Sequence, residues 1–387
     1  MKIKRNLKGL ALVVSCLMMT ACGSLTQTQE KSNDQADVIK IGGNWELSGA
    51  TAGYGSPGNE GVELAVDKVN QAGGLLGKQV EYVALDNKST SEETTANTSR
   101  LISNDQVSLI IGPATTGLME AQISSASSLP VIAPMATGDR LTTDSSGKVL
   151  DNVFRVCFQD AFQGQALAKF SNDKQFKRAV LIRDNSTDYG QNLTNEFKKY
   201  FQGEVLDELA YNAKDTDFNS LVTRLKSKEP DVIFVAGYYE EAGPLIKQAR
   251  EQGVKAAILG PDGFGNQELI DLAGKDNMTD VYYTAHYTTN DPSPELKEFM
   301  EAYQEKFGHA PDMFAALAYD GARLAFDAIE RAQSVDSKAL NQTLAETKDF
   351  SGVTGSFTIN DQHNPIKTAY VQELDHGEIV DTTPIEP

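Results

Sequence analysis

The chain is poor in the residues that carry most catalytic and metal chemistry. Three cysteines, four histidines and one tryptophan are spread over 387 residues. His286, His309, His363 and His376 stand singly in the C-terminal third and read as surface or structural residues rather than ligands. No G-x-S-x-G elbow and no H-E-x-x-H pair occurs, which removes the common hydrolase classes. Ser171-Asn172-Asp173-Lys174 has S-x-x-K spacing but lies in a polar stretch without the companion motifs, so it reads as chance. The expectation is a protein that is not an enzyme and needs neither cofactor nor metal. Positive charge is also short, 35 Lys and Arg against 54 Asp and Glu, which disfavours nucleic acid and anionic lipid surfaces as partners. No apolar run approaches the ~20 residues a membrane-spanning helix requires.

What is present begins with a leader. Lys2, Lys4, Arg5 and Lys8 precede a short apolar stretch, Gly9–Met19, and then Met19-Thr20-Ala21-Cys22. This is the layout of a bacterial lipoprotein signal, with residues 1–21 removed and Cys22 lipidated. Removal carries the formal charge from −19 to −23 and takes Cys16 with it. Cys157 is then the lone thiol, so no disulfide is available within a monomer. Residues 22–37 are polar and without apolar periodicity, and read as a disordered tether. The expected location is the extracytoplasmic face of a bacterial membrane, held by lipid alone.

The body is organised around Val232–Asn266, which reads as strand, glycine turn, helix, strand and glycine-rich loop. Val232–Ala236 and Ala256–Leu259 are apolar runs, and Gly253 stops the intervening helix. Tyr238, Tyr239 and Asp262 therefore stand where strands end, the edge at which open α/β sheets bind ligands. The same grammar occurs earlier: strand Val107–Ile111, turn Gly112-Pro113, helix Thr116–Ser128, strand Val131–Ala133 and loop Pro134–Gly138. One unit offers hydroxyls, Thr115, Thr116 and Thr137; the other offers a carboxylate and aromatics. The pair suits a small zwitterion. Thr115-Thr116 also fits plain helix capping, and Asp262-Gly263 also fits a plain turn.

Strands alternating with helices elsewhere predict two doubly wound parallel sheets. By residue 150 the first has few strands, so part of the tail is expected to complete that lobe. Gly53-Tyr54-Gly55-Ser56-Pro57-Gly58 fits G-x-G-x-x-G, but follows a long loop and contains a proline without an amide donor. It reads as part of a loop, Asn44–Pro57, that presents Tyr54 to a ligand.

These segments, with Ile41–Gly61, Ile182–Gly190 and Gly260–Asn266, carry a resemblance. From Val38 to its C-terminus the chain resembles the branched-chain amino-acid-binding lipoproteins, solute receptors of ABC importers of the leucine/isoleucine/valine type. The resemblance implies a type I periplasmic-binding-protein fold: two α/β lobes joined by three hinge crossings near Cys157, Ala285 and Lys367. Lobe 1 would comprise 38–157 and 286–366, and lobe 2 158–285 and 367–387. It also implies a monomer that closes on a branched-chain amino acid and delivers it to the importer's permease subunits. Carried over residue by residue, Thr116 and Thr137 would hold the ligand carboxylate. Thr137, the Met135 carbonyl and Asp262 would take the ammonium. Tyr189 and Tyr238 would shut over the ligand, with Tyr54 and Phe314 lining its side-chain pocket. Thr116, Asp262 and Tyr54 depart from serine, glutamate and tryptophan in the best-known form, leaving another amino acid, an amide or another small zwitterion open, and a sensor role as well.

Overall fold

The computed structural model describes residues 38–290 and 292–387. The leader, Cys22 and the tether lie outside the described residues. The first sheet is built from β1 (Val38–Trp45), β2 (Gln79–Asp86), β3 (Ile110–Ile111), β4 (Val131–Ala133) and β5 (Val153–Arg155). Helices α1 (Ala52–Gln71), α2 (Ser91–Arg100) and α3 (Thr116–Ile123) connect them. The order is β2-β1-β3-β4-β5 with every pair parallel, as helical crossovers require. Its central strands are short because they are buried on both faces; Ile110, Ile111, Val131 and Ile132 are fully covered.

The chain then forms α4 (Asp160–Asp173), β6 (Arg178–Asp184), α5 (Asp188–Tyr200), β7 (Glu204–Tyr211) and α6 (Asn219–Lys226). It continues through β8 (Val232–Ala236), α7 (Tyr239–Glu251), β9 (Ala257–Gly260), α8 (Gln267–Ala273) and β10 (Val281–Ala285). Helices α9 (Pro294–Phe307), α10 (Met313–Ala332) and α11 (Ser337–Ala345) follow. Next come β11 (Phe350–Gly352), β12 (Gly355–Ile359), β13 (Pro365–Ile366), β14 (Ala369–Asp375) and β15 (Glu378–Ile385). The second sheet runs β15-β14-β10-β9-β8-β6-β7. It is mixed rather than purely parallel, because β14 and β15 pair antiparallel at one edge.

The tail adds no strand to the first sheet. Instead α10 lies against α1, β3 and β4, and β11–β13 form a separate antiparallel sheet. What the first sheet lacked was an apolar cover. Ala315, Ala316, Leu317, Ala318, Ala322, Ala325 and Ile329 of α10 are all fully buried and provide it. Residues 369–385 return to the second sheet, so the chain passes between the two sheets three times.

The glycine-rich stretch after β1 also departs from expectation. It is not a loop: α1 starts at Ala52 and carries Pro57 inside it. A Cβ at Gly55 would strike the Glu46 backbone, and one at Gly61 the Ala315 carbonyl. These glycines permit close packing of α1 and do not shape a phosphate cradle.

Strand order reverses between β1 and β3 in the first sheet and between β6 and β8 in the second. Such switch points leave a crevice at the carboxyl ends of the strands. Both crevices open onto the same cleft.

Candidate ligand-binding site

A cavity, with about 270 Å³ of empty space when the open solvent at its mouth is included, lies between the two strand-end rims. Tyr54, Thr116, Met135, Thr137, Tyr189, Tyr238, Asp262 and Phe314 all line it, with Ala114, Thr115 and Gly263. Apart from the partly buried Tyr238, the eight sequence-selected residues are nearly inaccessible from outside.

On the first rim, β3 delivers the start of α3. Thr115 precedes that helix but does not cap it with its side chain. The capping carboxylate is Glu46, from the end of β1. Its oxygens accept from the Ala114 amide (2.9 Å), the Thr115 amide (3.0 Å) and the Thr115 hydroxyl (3.1 Å). Burial pushes the Glu46 carboxyl up, and the two amides pull it down. Thr115 is thus turned to the protein. The amides of the first turn of α3 have no intrahelical partner, and Thr116, which opens that turn, lines the cavity. Thr116 Oγ1 accepts from the Gly138 amide at 3.1 Å, which leaves its own O–H free to donate elsewhere. The Thr137 carbonyl accepts from the Asp160 amide at 2.9 Å, and burial, aided by Asp139, holds the Asp160 carboxyl well above the usual range.

On the second rim, Asp262 sits in a 3-10 turn after β9 and is 3 % exposed. Its Oδ1 accepts from the Tyr189 hydroxyl at 2.7 Å, and His286 Nε2 stands 3.1 Å from Oδ2. The Asp262 amide donates to Gln163 Oε1 at 2.9 Å. Tyr189 stacks on Tyr238 with centroids 4.9 Å apart. Burial holds both phenols well above their ordinary range, so they are neutral donors.

Two tyrosines tie the rims together. Tyr54, in the first turn of α1, donates to the Gly263 carbonyl at 2.8 Å and accepts from the Tyr239 amide at 3.2 Å. Tyr239 donates to the Ala50 carbonyl at 3.0 Å and accepts from the Gly53 amide at 3.1 Å. Phe314 closes the apolar wall, edge-on to Tyr54 at 4.9 Å.

Sequence reasoning passed over Glu46, Gln163 and His286. The available signal for Glu46 was its place at the end of β1, beside the switch point. For His286 there was none locally, since its meaning depends on Asp262, 24 positions away. The remaining motifs carry no chemistry here. Ser171 Oγ donates to the Leu167 carbonyl at 2.7 Å, and Lys174 lies over the Phe170 ring. Cys157 is fully buried, its thiol pushed up to about 12 by burial. Among the described residues no cluster of His, Cys, Asp or Glu suits a metal ion, and no helix is long and apolar enough to cross a membrane.

Comparison with known proteins identifies the fold and the family. LivJ of Streptococcus pneumoniae, a branched-chain amino acid transporter substrate-binding protein solved with isoleucine, superposes with a TM-score of 0.86 at 38% identity, covering 90% of this chain and 100% of that one. The leucine-binding protein LivK of Thermotoga maritima gives 0.84 at 32% identity, over 90% and 99% of the two chains. A Leu/Ile/Val-binding protein homolog of Brucella melitensis is 28% identical over 88% of this chain and 93% of its own length. The periplasmic binding protein family matches residues 38–378, and the chain belongs to that family.

Proposed function

We propose that this protein is an extracytoplasmic solute receptor that captures a branched-chain L-amino acid between two closing lobes and hands it to an ABC importer. The observation that carries the reading is Asp262. It is a buried carboxylate whose side-chain partners, Tyr189 and His286, are not cations, and it stands across a single-ligand cavity from the Thr116 and Thr137 hydroxyls. A buried negative charge needs a counter-charge. A ligand ammonium supplies it, and the ligand carboxylate then falls against the hydroxyls and the start of α3. The Met135 carbonyl, on the same wall, adds a second ammonium acceptor. Met135, Tyr54 and Phe314 favour an aliphatic side chain, each buried methylene adding ~0.8 kcal/mol. Separation among leucine, isoleucine and valine is accordingly modest, about 10–200-fold per methylene.

Closure follows as a population shift. A ligand touching both rims stabilises the closed state by its differential affinity, alongside the Tyr54 and Tyr239 bonds. The lobes in this reading are 38–157 with 286–366, and 158–285 with 367–387. The protein works as a monomer tethered through a lipid on Cys22 and the 22–37 segment, and its closed form is what the permease subunits meet.

Calorimetric titration of unfolded and refolded protein with the twenty amino acids tests the ligand. One-to-one binding confined to leucine, isoleucine and valine is expected; silence toward all three sinks the reading. Transfer of the protein from membrane to soluble fraction by Cys22→Ala tests the anchor.

A further inference from the structure

We propose that His286 is a positioning residue for ligand selection: as a neutral imidazole it donates from Nε2 to Asp262 and holds the carboxylate as a fixed acceptor for the ligand's ammonium. The proposal rests on the amino-acid reading above and deepens it.

His286 directly follows β10, where the chain makes its second passage between the sheets, and it is fully buried. Its ring lies flat on Phe158, which follows the first passage, with centroids 3.7 Å apart and planes within 17°. The imidazole therefore has one orientation. An ionised carboxylate only accepts, so both neighbours of Asp262 must donate: Tyr189 to Oδ1 and His286 to Oδ2. His286 Nδ1 is buried without a hydrogen-bond partner. A proton there would be a buried donor with no acceptor, a costly arrangement, so the proton belongs on Nε2 and the ring is neutral. The end of β10 also grips the Asp262 backbone. Thr284 donates at 2.7 Å to the same Gln163 oxygen that accepts the Asp262 amide. The position of the carboxylate is thus set from the strand that leads into the second crossing.

The charged and titratable groups facing this imidazole are Asp262 in front and Lys367 from the third passage. The Cys157 thiol of the first passage and Asp160 lie around the same carboxylate. Burial lowers the imidazole to about 4 despite the pull of Asp262, and Lys367 pushes the same way. His286 is therefore neutral through the neutral range. Only in acid does it gain a charge, and that charge competes with the ligand's ammonium for Asp262.

Two measurements on the full mature protein test this. Nitrogen-15 NMR of labelled histidine at pH 7 is expected to show the Nε2–H tautomer; an Nδ1–H tautomer or an imidazolium overturns the proposal. Isoleucine affinity is then followed from pH 8 to 4.5 for wild type, His286→Gln and His286→Leu, beside the deaminated analogue 3-methylpentanoate. Wild-type affinity should stay level to pH 6 and fall below 5. The glutamine variant keeps an N–H donor and should stay within about threefold at pH 7. The leucine variant should lose at least about tenfold, weaken already between pH 8 and 6, and discriminate less against the analogue. An equal loss at every pH with unchanged discrimination overturns the proposal. A wild type silent toward isoleucine at all pH values would sink the receptor reading and this ligand role with it, while the tautomer still decides the His286–Asp262 bond by itself.

Discussion

Glu46 and Asp262 are both buried carboxylates at strand ends, one on each rim of the cleft, and they do opposite things. Glu46 accepts from two backbone amides and a hydroxyl at the start of a helix, where the helix dipole also favours its charge. Its bonding capacity is used by the protein. Asp262 has only a phenol and an imidazole as side-chain partners. In the proposed reading its charge is met by the ligand's ammonium. What sits on the oxygens tells the two acids apart, which residue type and burial do not.

Four substitutions break or sharpen that contrast. The largest effect is expected from Asp262→Ala, which strands the ligand ammonium: about 3–5 kcal/mol of isoleucine affinity lost by calorimetry. Unchanged affinity would point to an amide or another ligand without an ammonium. Glu46→Ala should reverse the pattern. Three donors lose their acceptor, and urea unfolding should report a stability loss of about 1–3 kcal/mol. If Glu46→Ala leaves stability intact and abolishes binding, the assignment of roles is wrong. Thr116→Val keeps the shape of the first rim and removes its hydroxyl. A loss of about 1–2 kcal/mol toward isoleucine is expected, with little change toward the decarboxylated amine of the same side chain. An equal loss for both would move the carboxylate site elsewhere. Smallest is Tyr239→Phe, which removes the bond to Ala50 across the cleft. About 0.5–1.5 kcal/mol of affinity should go, with a larger radius of gyration by X-ray scattering for the ligand-free protein. No change in either would remove Tyr239 from closure.

Much of the frame was legible before any coordinates. Val232–Ala236 is a strand with the bounds its apolar run predicts. The eight residues chosen from strand ends and from the family resemblance line one cavity. Misreadings came where a local rule met a distant neighbour. Glycines at 53 and 55 looked like a loop because glycine is unfavourable inside helices. They lie in α1, where Tyr239 comes close to Gly53 and the Glu46 backbone to Gly55, leaving no room for side chains. The first sheet looked short of strands that the tail would supply, whereas the tail supplies a helix that covers it.

The amino-acid order by itself determined the alternation of strand and helix, the turns, and which side chains stand at the carboxyl ends of strands. Those features arise from periodicity and from glycine and proline within a few residues of chain. Tertiary structure decided which acid is spent on the backbone, which groups stand on the oxygens of Asp262, and how the cleft is bridged. These depend on partners far apart in the chain, 69 positions from Glu46 to Thr115 and 209 from Tyr54 to Gly263. A hydrogen bond over such a separation leaves no local pattern to read, because each partner's own neighbourhood is satisfied without the other.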